Sequence, residues 1–289
     1  MNIGIIGQGF VGTAIREGLK NSYPVFVYDK KEDICPEASY RSLDTVAAGC
    51  EIIFQCLPTP MRKSGECDLA IVEKSLNDLS SLSRSYNKNP IVVIKSTVPP
   101  GTCERLNQQF KNIDIVFSPE FLTEANSIHD FKNQTHIILG GPRPHTSQVR
   151  TMLRKAFPYI PIVQTDYQTA EMVKYVANTF LATKVAFANE MYDICGAIGI
   201  RYEEVIKFAK LDQRLGDSHW QVPGPDTKRG FGGSCFPKDI NALIVHAESI
   251  GIEPDILKIV WEKNLQVRPE RDWEELVGRA ISKKGESNE

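Results

Sequence analysis

The chain has 289 residues, 42% hydrophobic and 24% charged, with a formal net charge of −2. This is the composition of an ordinary globular protein with room for two domains. The near-neutral charge offers no attraction for a nucleic acid or a membrane surface, and no apolar run approaches the ~20 residues of a membrane span.

The seven cysteines, at 35, 50, 56, 67, 103, 195 and 235, are odd in number and have no zinc-type pairing. No metal site is expected, and a reduced, cytoplasmic setting is. The chain begins directly on a strand pattern, which argues against a cleaved signal. Residues 1–15 read as an apolar strand, a glycine-rich turn and a helix, with Gly7, Gly9 and Gly12 in the spacing G-x-G-x-x-G. Gly7 permits the tight turn, Gly9 the approach of a pyrophosphate, and Gly12 the packing of helix on strand. Phe10 and Val11 open the helix, whose unpaired N–H groups suit the phosphates of a dinucleotide.

A second strand, 25–28, ends on Asp29, at the spacing of the acid that binds ribose hydroxyls. The other reading of Asp29 is a turn aspartate. Lys30 and Lys31 could accept a 2′-phosphate, but the Asp29 carboxylate would repel one, so NAD is favoured over NADP. Further strands are expected at 52–55, 91–94, 113–117 and 137–139, with helices such as 70–82 and 101–110 between them. Strands alternating with helices predict an α/β fold: a doubly wound, mostly parallel, Rossmann-like sheet over 1–165. Ligands of such sheets lie beyond the carboxyl ends of the strands. Three unusual segments fall there: 56–60, 95–102 and 118–124. Taken alone, their Thr-Pro and Pro-Pro-Gly are turn chemistry, and Glu120 with Glu124 could be an exposed pair one helical turn apart.

A last strand at 161–164 leads to a mainly helical domain over 166–289. Residues 170–197 read as one helix of roughly 40 Å. Val176, Phe180, Val185 and Phe187 surround it, so it is expected to be buried on several sides, bridging the domains or forming a dimer interface. Lys174 and Asn178 share one face; a lysine lying along the surface with its head in water is the plain alternative. Helices are expected at 202–211, 238–249 and 256–265, then a charged stretch at 268–272, a short helix from Trp273 and a frayed polar end at 283–289. Within 229–239, glycines 230, 232 and 233 precede Cys235, and Pro237 opens the next helix. Cys235 therefore sits ahead of a helix N-terminus, where the dipole and Lys238 favour the thiolate. Asp239 lies one turn on. Spacing alone equally allows a buried structural cysteine in a glycine turn.

The run Arg-Gly-Phe-Gly-Gly-Ser-Cys-Phe-Pro-Lys-Asp at 229–239 closely resembles the catalytic-cysteine signature of the UDP-glucose/GDP-mannose dehydrogenase family. The three strand-end segments and the Lys174/Asn178 pair resemble the same family, so the likeness covers nearly the whole chain. It implies an NAD-dependent enzyme that oxidises the primary alcohol of a nucleotide sugar, UDP-glucose foremost, to a carboxylate in two hydride transfers. By resemblance, Cys235 captures the aldehyde and carries a thioester, and Lys174 stabilises oxyanions. Thr97, Glu124 and Asp239 position water, while Glu120 and Asn178 complete the pocket. Thr59 and Thr97 face the cofactor; Phe121, Leu122, Gly232 and Gly233 join Glu120, Lys174 and Asn178 around the substrate. A homodimer packed partly through the long helix is expected.

Two features depart from the family pattern. Its usual C-terminal domain, which closes over the nucleotide end, has no counterpart in this chain. The loop at 226–229 is longer than expected, and its Lys228 and Arg229 could meet a substrate phosphate or be solvated. Two other readings stand beside this one. A β-hydroxyacid dehydrogenase of the 6-phosphogluconate or 3-hydroxyisobutyrate type resembles the chain in size, plan and Lys-x-x-x-Asn pair, but needs no cysteine. A cofactor-binding protein without turnover is the third.

Overall fold

Four-residue runs rich in Ile, Val and Phe form the strands, because β-branched and aromatic side chains suit a sheet covered on both faces. The computed structural model describes residues 1–283; of the polar end expected to fray, 284–289 lie outside the described residues. The strands are β1 (Ile3–Ile6), β2 (Val25–Tyr28), β3 (Ile52–Gln55), β4 (Ile91–Ile94), β5 (Asp114–Phe117), β6 (Ile137–Gly140) and β7 (Ile162–Thr165). They form one sheet in the order β2-β1-β3-β4-β5-β6-β7. Every neighbouring pair is parallel except β5 and β6, which meet antiparallel at Phe117 and Gly140.

The order reverses at β1, and the glycine turn leaves its carboxyl end, where such sheets bind ligands. Tyr40 adds a single parallel bridge to Val27 on the outer side of β2, closed by Val27 N–H to Ser39 O and Arg41 N–H to Val27 O, both 2.9 Å. This one residue stands where a dinucleotide-binding sheet has its outermost strand.

Six helices cover the sheet: α1 (Phe10–Leu19), α2 (Leu43–Gly49), α3 (Ala70–Ser85), α4 (Thr102–Gln109), α5 (Ser127–Lys132) and α6 (Arg143–Ala156). Side chains of a strand alternate between faces. Ile5 and Val93 accordingly join Ile15, Phe131 and Met152 in one core, while Ile6 and Ile94 join Leu76, Leu79 and Leu106 in the other.

The chain divides into two compact units, Met1–Thr59 with Leu69–Lys174, and Pro60–Asp68 with everything from Tyr175. By compactness the chain divides inside α7 (Tyr167–Ala197), and residues 60–68 go with the second unit. Hydrogen bonds within that unit account for the latter: Met61 N–H to Ala280 O is 2.8 Å and Ser282 N–H to Met61 O is 2.9 Å. The second unit also contains α8 (Tyr202–Ala209), α9 (Phe236–Ser249) and α10 (Asp255–Val267).

Within the single chain the long helix is not buried on several sides. Val176, Phe180 and Phe187 are 54%, 63% and 50% exposed, while the buried side is made by Ala182, Ala186, Ala188 and Asn189. Small residues let the other helices approach closely, and the large apolar ones face outward.

Candidate active site

The glycine turn fits a dinucleotide. Gly7 has φ +93° and a Cβ there would fall 2.3 Å from Cys56 O; a Cβ on Gly12 would fall 1.9 Å from Gly7 O. Nothing lies within 4 Å of a Cβ built on Gly9, the N-cap of α1, so space is open in front of the helix start led by Phe10 and Val11. Asp29 is tied to this turn: its carboxylate accepts from Gln8 N–H at 2.8 Å and Lys31 N–H at 2.9 Å. Lys30 and Lys31 are exposed. Thr59 and Thr97 are buried together, with the Thr59 hydroxyl donating to Thr97 O at 2.8 Å.

Two buried lysines hold the segment after β5. Lys95 Nζ donates to Ser118 Oγ at 3.0 Å and Pro119 O at 3.1 Å. Burial pulls its pKa down to about 8. Lys174 Nζ donates to Glu120 O at 2.5 Å and Glu120 Oε1 at 3.0 Å, and lies 5.5 Å from the centre of the Phe121 ring. At 4% exposure Lys174 does not reach water along the surface; its charge is answered by Glu120 and a carbonyl. The other Glu120 oxygen accepts from Leu122 N–H at 3.0 Å. Residues 118–123 are not helical, so Glu120 and Glu124 do not form a pair on one helical turn; Glu124 opens a short 3-10 turn and is exposed.

Sequence reasoning missed Glu171. Fully buried on α7, it accepts from Gly101 N–H at 2.6 Å and Cys103 N–H at 2.7 Å, capping α4. Burial pushes its pKa up to about 7 against those hydrogen bonds. A glutamate one turn before Lys174 on an apolar helix was the available signal.

In the second unit, Cys235 is the N-cap of α9, with Pro237 in the first turn, and is half-buried. Its backbone carbonyl accepts from Asp239 N–H at 3.0 Å. Asp239 is 1% exposed; Asn178 Nδ2 donates to one of its oxygens and Lys238 Nζ to the other, each at 2.5 Å. Burial opposes the charge on Lys238, yet Asp239 and the Cys235 sulfur outweigh it and hold the ammonium above its ordinary value. Two further residues that sequence reasoning missed, Asn264 and Arg268, support the glycine run from α10 and its end. Asn264, fully buried, brackets Phe231 by accepting from its N–H at 2.7 Å and donating to its carbonyl at 2.9 Å. Arg268, 1% exposed, lies beneath Gly232. Gly233 has φ +68° with open space around it.

Of the two loop cations, Arg229 is engaged within its own unit, with Nε 3.0 Å from Asn189 Oδ1 and Nη2 2.7 Å from Asp193 Oδ1. Lys228 is 3.9 Å from Glu270. Among the described residues no helix is long and apolar enough to cross a membrane, and no group of three or more His, Cys, Asp or Glu is placed to hold a metal. The first unit therefore offers a dinucleotide cradle and a turn held by two ammonium groups. The second offers a thiol at a helix start, with a buried amide–carboxylate–ammonium chain one turn on.

Known proteins match both halves of the chain. Residues 38–158 match the NAD binding domain, and residues 168–266 the central domain, of the UDP-glucose/GDP-mannose dehydrogenase family. The UDP-glucose 6-dehydrogenase of Rickettsia felis is 39% identical over 227 residues, 75% of this chain and 48% of that protein. That of Rickettsia conorii is 37% identical over 297 residues, 92% of this chain and 67% of that protein. The chain thus spans about half the length of the first relative and two thirds of the second. The UDP-glucose dehydrogenase structure from Pyrobaculum islandicum matches with a TM-score of 0.82 at 28% identity, over 92% of this chain and 68% of that one. A Mycobacterium tuberculosis 3-hydroxyisobutyrate dehydrogenase matches with a TM-score of 0.73 over 93% of this chain and 94% of its own, but at 15% identity, a likeness of fold alone. With both domain models in order and 37% identity along nearly its full length, the chain belongs to the UDP-glucose/GDP-mannose dehydrogenase family.

Proposed function

We propose that the chain acts as an NAD-dependent nucleotide-sugar 6-dehydrogenase, taking UDP-glucose to UDP-glucuronate. The observation that carries this reading is Cys235 at the N-cap of α9, followed one turn on by the buried Asp239 that Asn178 and Lys238 hold. Oxidation of an alcohol to an aldehyde needs only a base and a hydride acceptor. Oxidation onward to an acid needs a nucleophile that makes the carbonyl tetrahedral and then leaves.

In this reading Gly7, Gly9, Phe10, Val11 and Gly12 hold the cofactor phosphates, Asp29 the ribose, and Thr59 and Thr97 the nicotinamide side. Bound NAD supplies the hydride acceptor for each of the two oxidations. The Cys235 thiolate adds to the C6 aldehyde, forming a C–S bond and an oxyanion that the Lys174 ammonium stabilises. Collapse of that adduct with loss of hydride leaves the thioester. Water then breaks the C–S bond, its oxygen entering the carboxylate and its proton passing toward Asp239, and the thiolate is released. Thr97 and Glu124 help position that water. Glu120, Phe121, Leu122, Asn178, Gly232 and Gly233 line the sugar.

The exposed stripe of Val176, Phe180 and Phe187 on α7, with Phe208 63% and Leu211 79% exposed nearby in sequence, supports a homodimer packed partly on this helix. All seven cysteines are free, which supports a reducing, cytoplasmic setting. The test is stoichiometric. With a panel of sugar nucleotides, UDP-glucose should yield two NADH and one UDP-glucuronate per molecule consumed. One NADH per substrate, with turnover indifferent to Cys235→Ala, would replace this reading with a β-hydroxyacid dehydrogenase.

A further inference from the structure

Arg268 closes α10 and is 1% exposed. An arginine buried so completely is costly unless its donors are answered, and here they are answered by the loop that carries Cys235. Nε donates to Asp272 Oδ1 at 2.6 Å, and Nη2 to Asp272 Oδ2 at 2.9 Å and Asp226 Oδ2 at 2.6 Å. Nη1 donates to the backbone carbonyl of Arg229 at 3.2 Å.

The guanidinium also sets the shape of the glycine run. A Cβ on Gly232 would lie 2.4 Å from Nη2, 2.5 Å from Cζ and 2.6 Å from Nε. The backbone thus passes directly over the guanidinium, and glycine is required there because the arginine is beneath it. One side chain therefore reaches residues 226, 229 and 232, the last of them three residues before Cys235.

Asp226 belongs to the extended part of the loop. Its side chain is 48% exposed, so it contributes little to the core. The turn around it is closed by Gly224 N–H to Lys228 O at 2.8 Å, and its Oδ1 accepts from Lys228 N–H at 3.2 Å. Its other oxygen is fastened to Arg268.

We propose that Arg268 is a positioning residue for Cys235, and that Asp226 is its outer anchor. This rests on Cys235 being the nucleophile of the reaction proposed above. A run with three glycines has many conformations to lose on folding. Two charge-assisted carboxylate pairs and a carbonyl fix it without crowding the sulfur, using the planar fork of the guanidinium, which an ammonium cannot reproduce.

The experiment compares Asp226→Ala, Asp226→Glu and Arg268→Lys with the unaltered protein, reading cysteine alkylation by iodoacetamide peptide by peptide alongside kcat and KM. In Asp226→Ala, Cys235 should alkylate about five-fold faster while the buried Cys50, Cys103 and Cys195 stay protected, and kcat should fall about tenfold with the KM for NAD unchanged. Asp226→Glu should restore both values, and Arg268→Lys should exceed the alanine variant in both effects. If Arg268→Lys does not fold, the two Asp226 variants decide alone. Equal loosening of all buried cysteines would mean general destabilisation and overturn the proposal, as would unchanged Cys235 reactivity in a folded variant. If no sugar nucleotide is turned over, the alkylation result still stands or fails by itself, so the two readings are separable.

Discussion

Glu171→Gln tests which of two opposed forces governs the cap of α4. The carboxylate is fully buried, which favours its neutral form, yet it accepts two backbone N–H groups at 2.6 and 2.7 Å, which favour the charged one. Burial is the larger, and the pKa rises from 4.5 to about 7. At ~1.4 kcal/mol per pH unit, that rise corresponds to roughly 3 kcal/mol. The sign follows from linkage: an acid whose pKa is raised on folding contributes stability that is full below pH 4.5 and is lost as pH rises through about 7. Glutamine stays neutral throughout. Its amide has one acceptor oxygen where the carboxyl has two, so one of the two N–H groups loses its partner, and urea unfolding at pH 5 should show the variant weaker by roughly 1–3 kcal/mol. From pH 5 to 8 the variant should gain on the unaltered protein by up to roughly 3 kcal/mol, because only the glutamate loses stability as pH rises. Taking the difference between the two curves removes other groups that titrate nearby, Lys95 at about 8 among them. If instead the variant falls further behind as pH rises from 5 to 8, the two N–H bonds outweigh burial in the unaltered protein and its carboxylate is not held neutral.

Three further outcomes are expected. Asp29→Ala should raise the KM for NAD by roughly tenfold and narrow the preference over NADP, measured by steady-state kinetics with both cofactors; better use of NADP by the unaltered protein would mean that Lys30 and Lys31 dominate. Cys235→Ala should lower turnover of UDP-glucose by at least about a thousandfold, whereas Cys50→Ala, far from any glycine loop in sequence, should leave it nearly intact. Phe180→Glu, at a position 63% exposed in the single chain, should halve the mass seen by light scattering at micromolar concentration; a monomeric unaltered protein would remove the dimer.

The parallel sheet was legible because buried strands advertise themselves as short apolar runs between turn residues, and β3 and β4 fall at the residues expected. Three covering helices, α2, α5 and α6, gave no comparable signal. In α6 the buried positions are Thr146, Val149, Met152 and Leu153, set among arginines, lysine and histidine, so the stripe facing the sheet is narrow and partly polar. Helix α5 has six residues, too few for a period to emerge. Within the single chain α7 differs for the opposite reason: its large apolar residues suggest a helix covered all round, but Val176, Phe180 and Phe187 are exposed and the covered side mixes alanines with Glu171, Lys174, Tyr175 and Asn178. A hydrophobic pattern reports what must be hidden somewhere, not which neighbour hides it.

The chemistry-bearing residues divide along the same line. Gly7, Gly12 and Cys235 were legible because local backbone marks them: Gly7 takes φ +93°, a Cβ on Gly12 would collide with the Gly7 carbonyl, and a helix begins at the residue after the sulfur. Lys95, Glu171, Asn264 and Arg268 were not, because a polar residue's burial depends on a partner distant in sequence. Lys95 meets Ser118 and Pro119, Glu171 meets Gly101 and Cys103, and Asn264 meets Phe231. Each of these side chains hydrogen-bonds backbone groups of a loop, so each acts on the shape of that loop and not only on its charge. That is why the glycine run and the arginine under it must be read together. Gly232 without Arg268 would be a flexible hinge, and Arg268 without Gly232 would have no room. The substitution that tests this dependence is Gly232→Ala: the methyl would overlap the guanidinium, so Arg268→Ala in the same chain should recover part of the folding lost by Gly232→Ala alone.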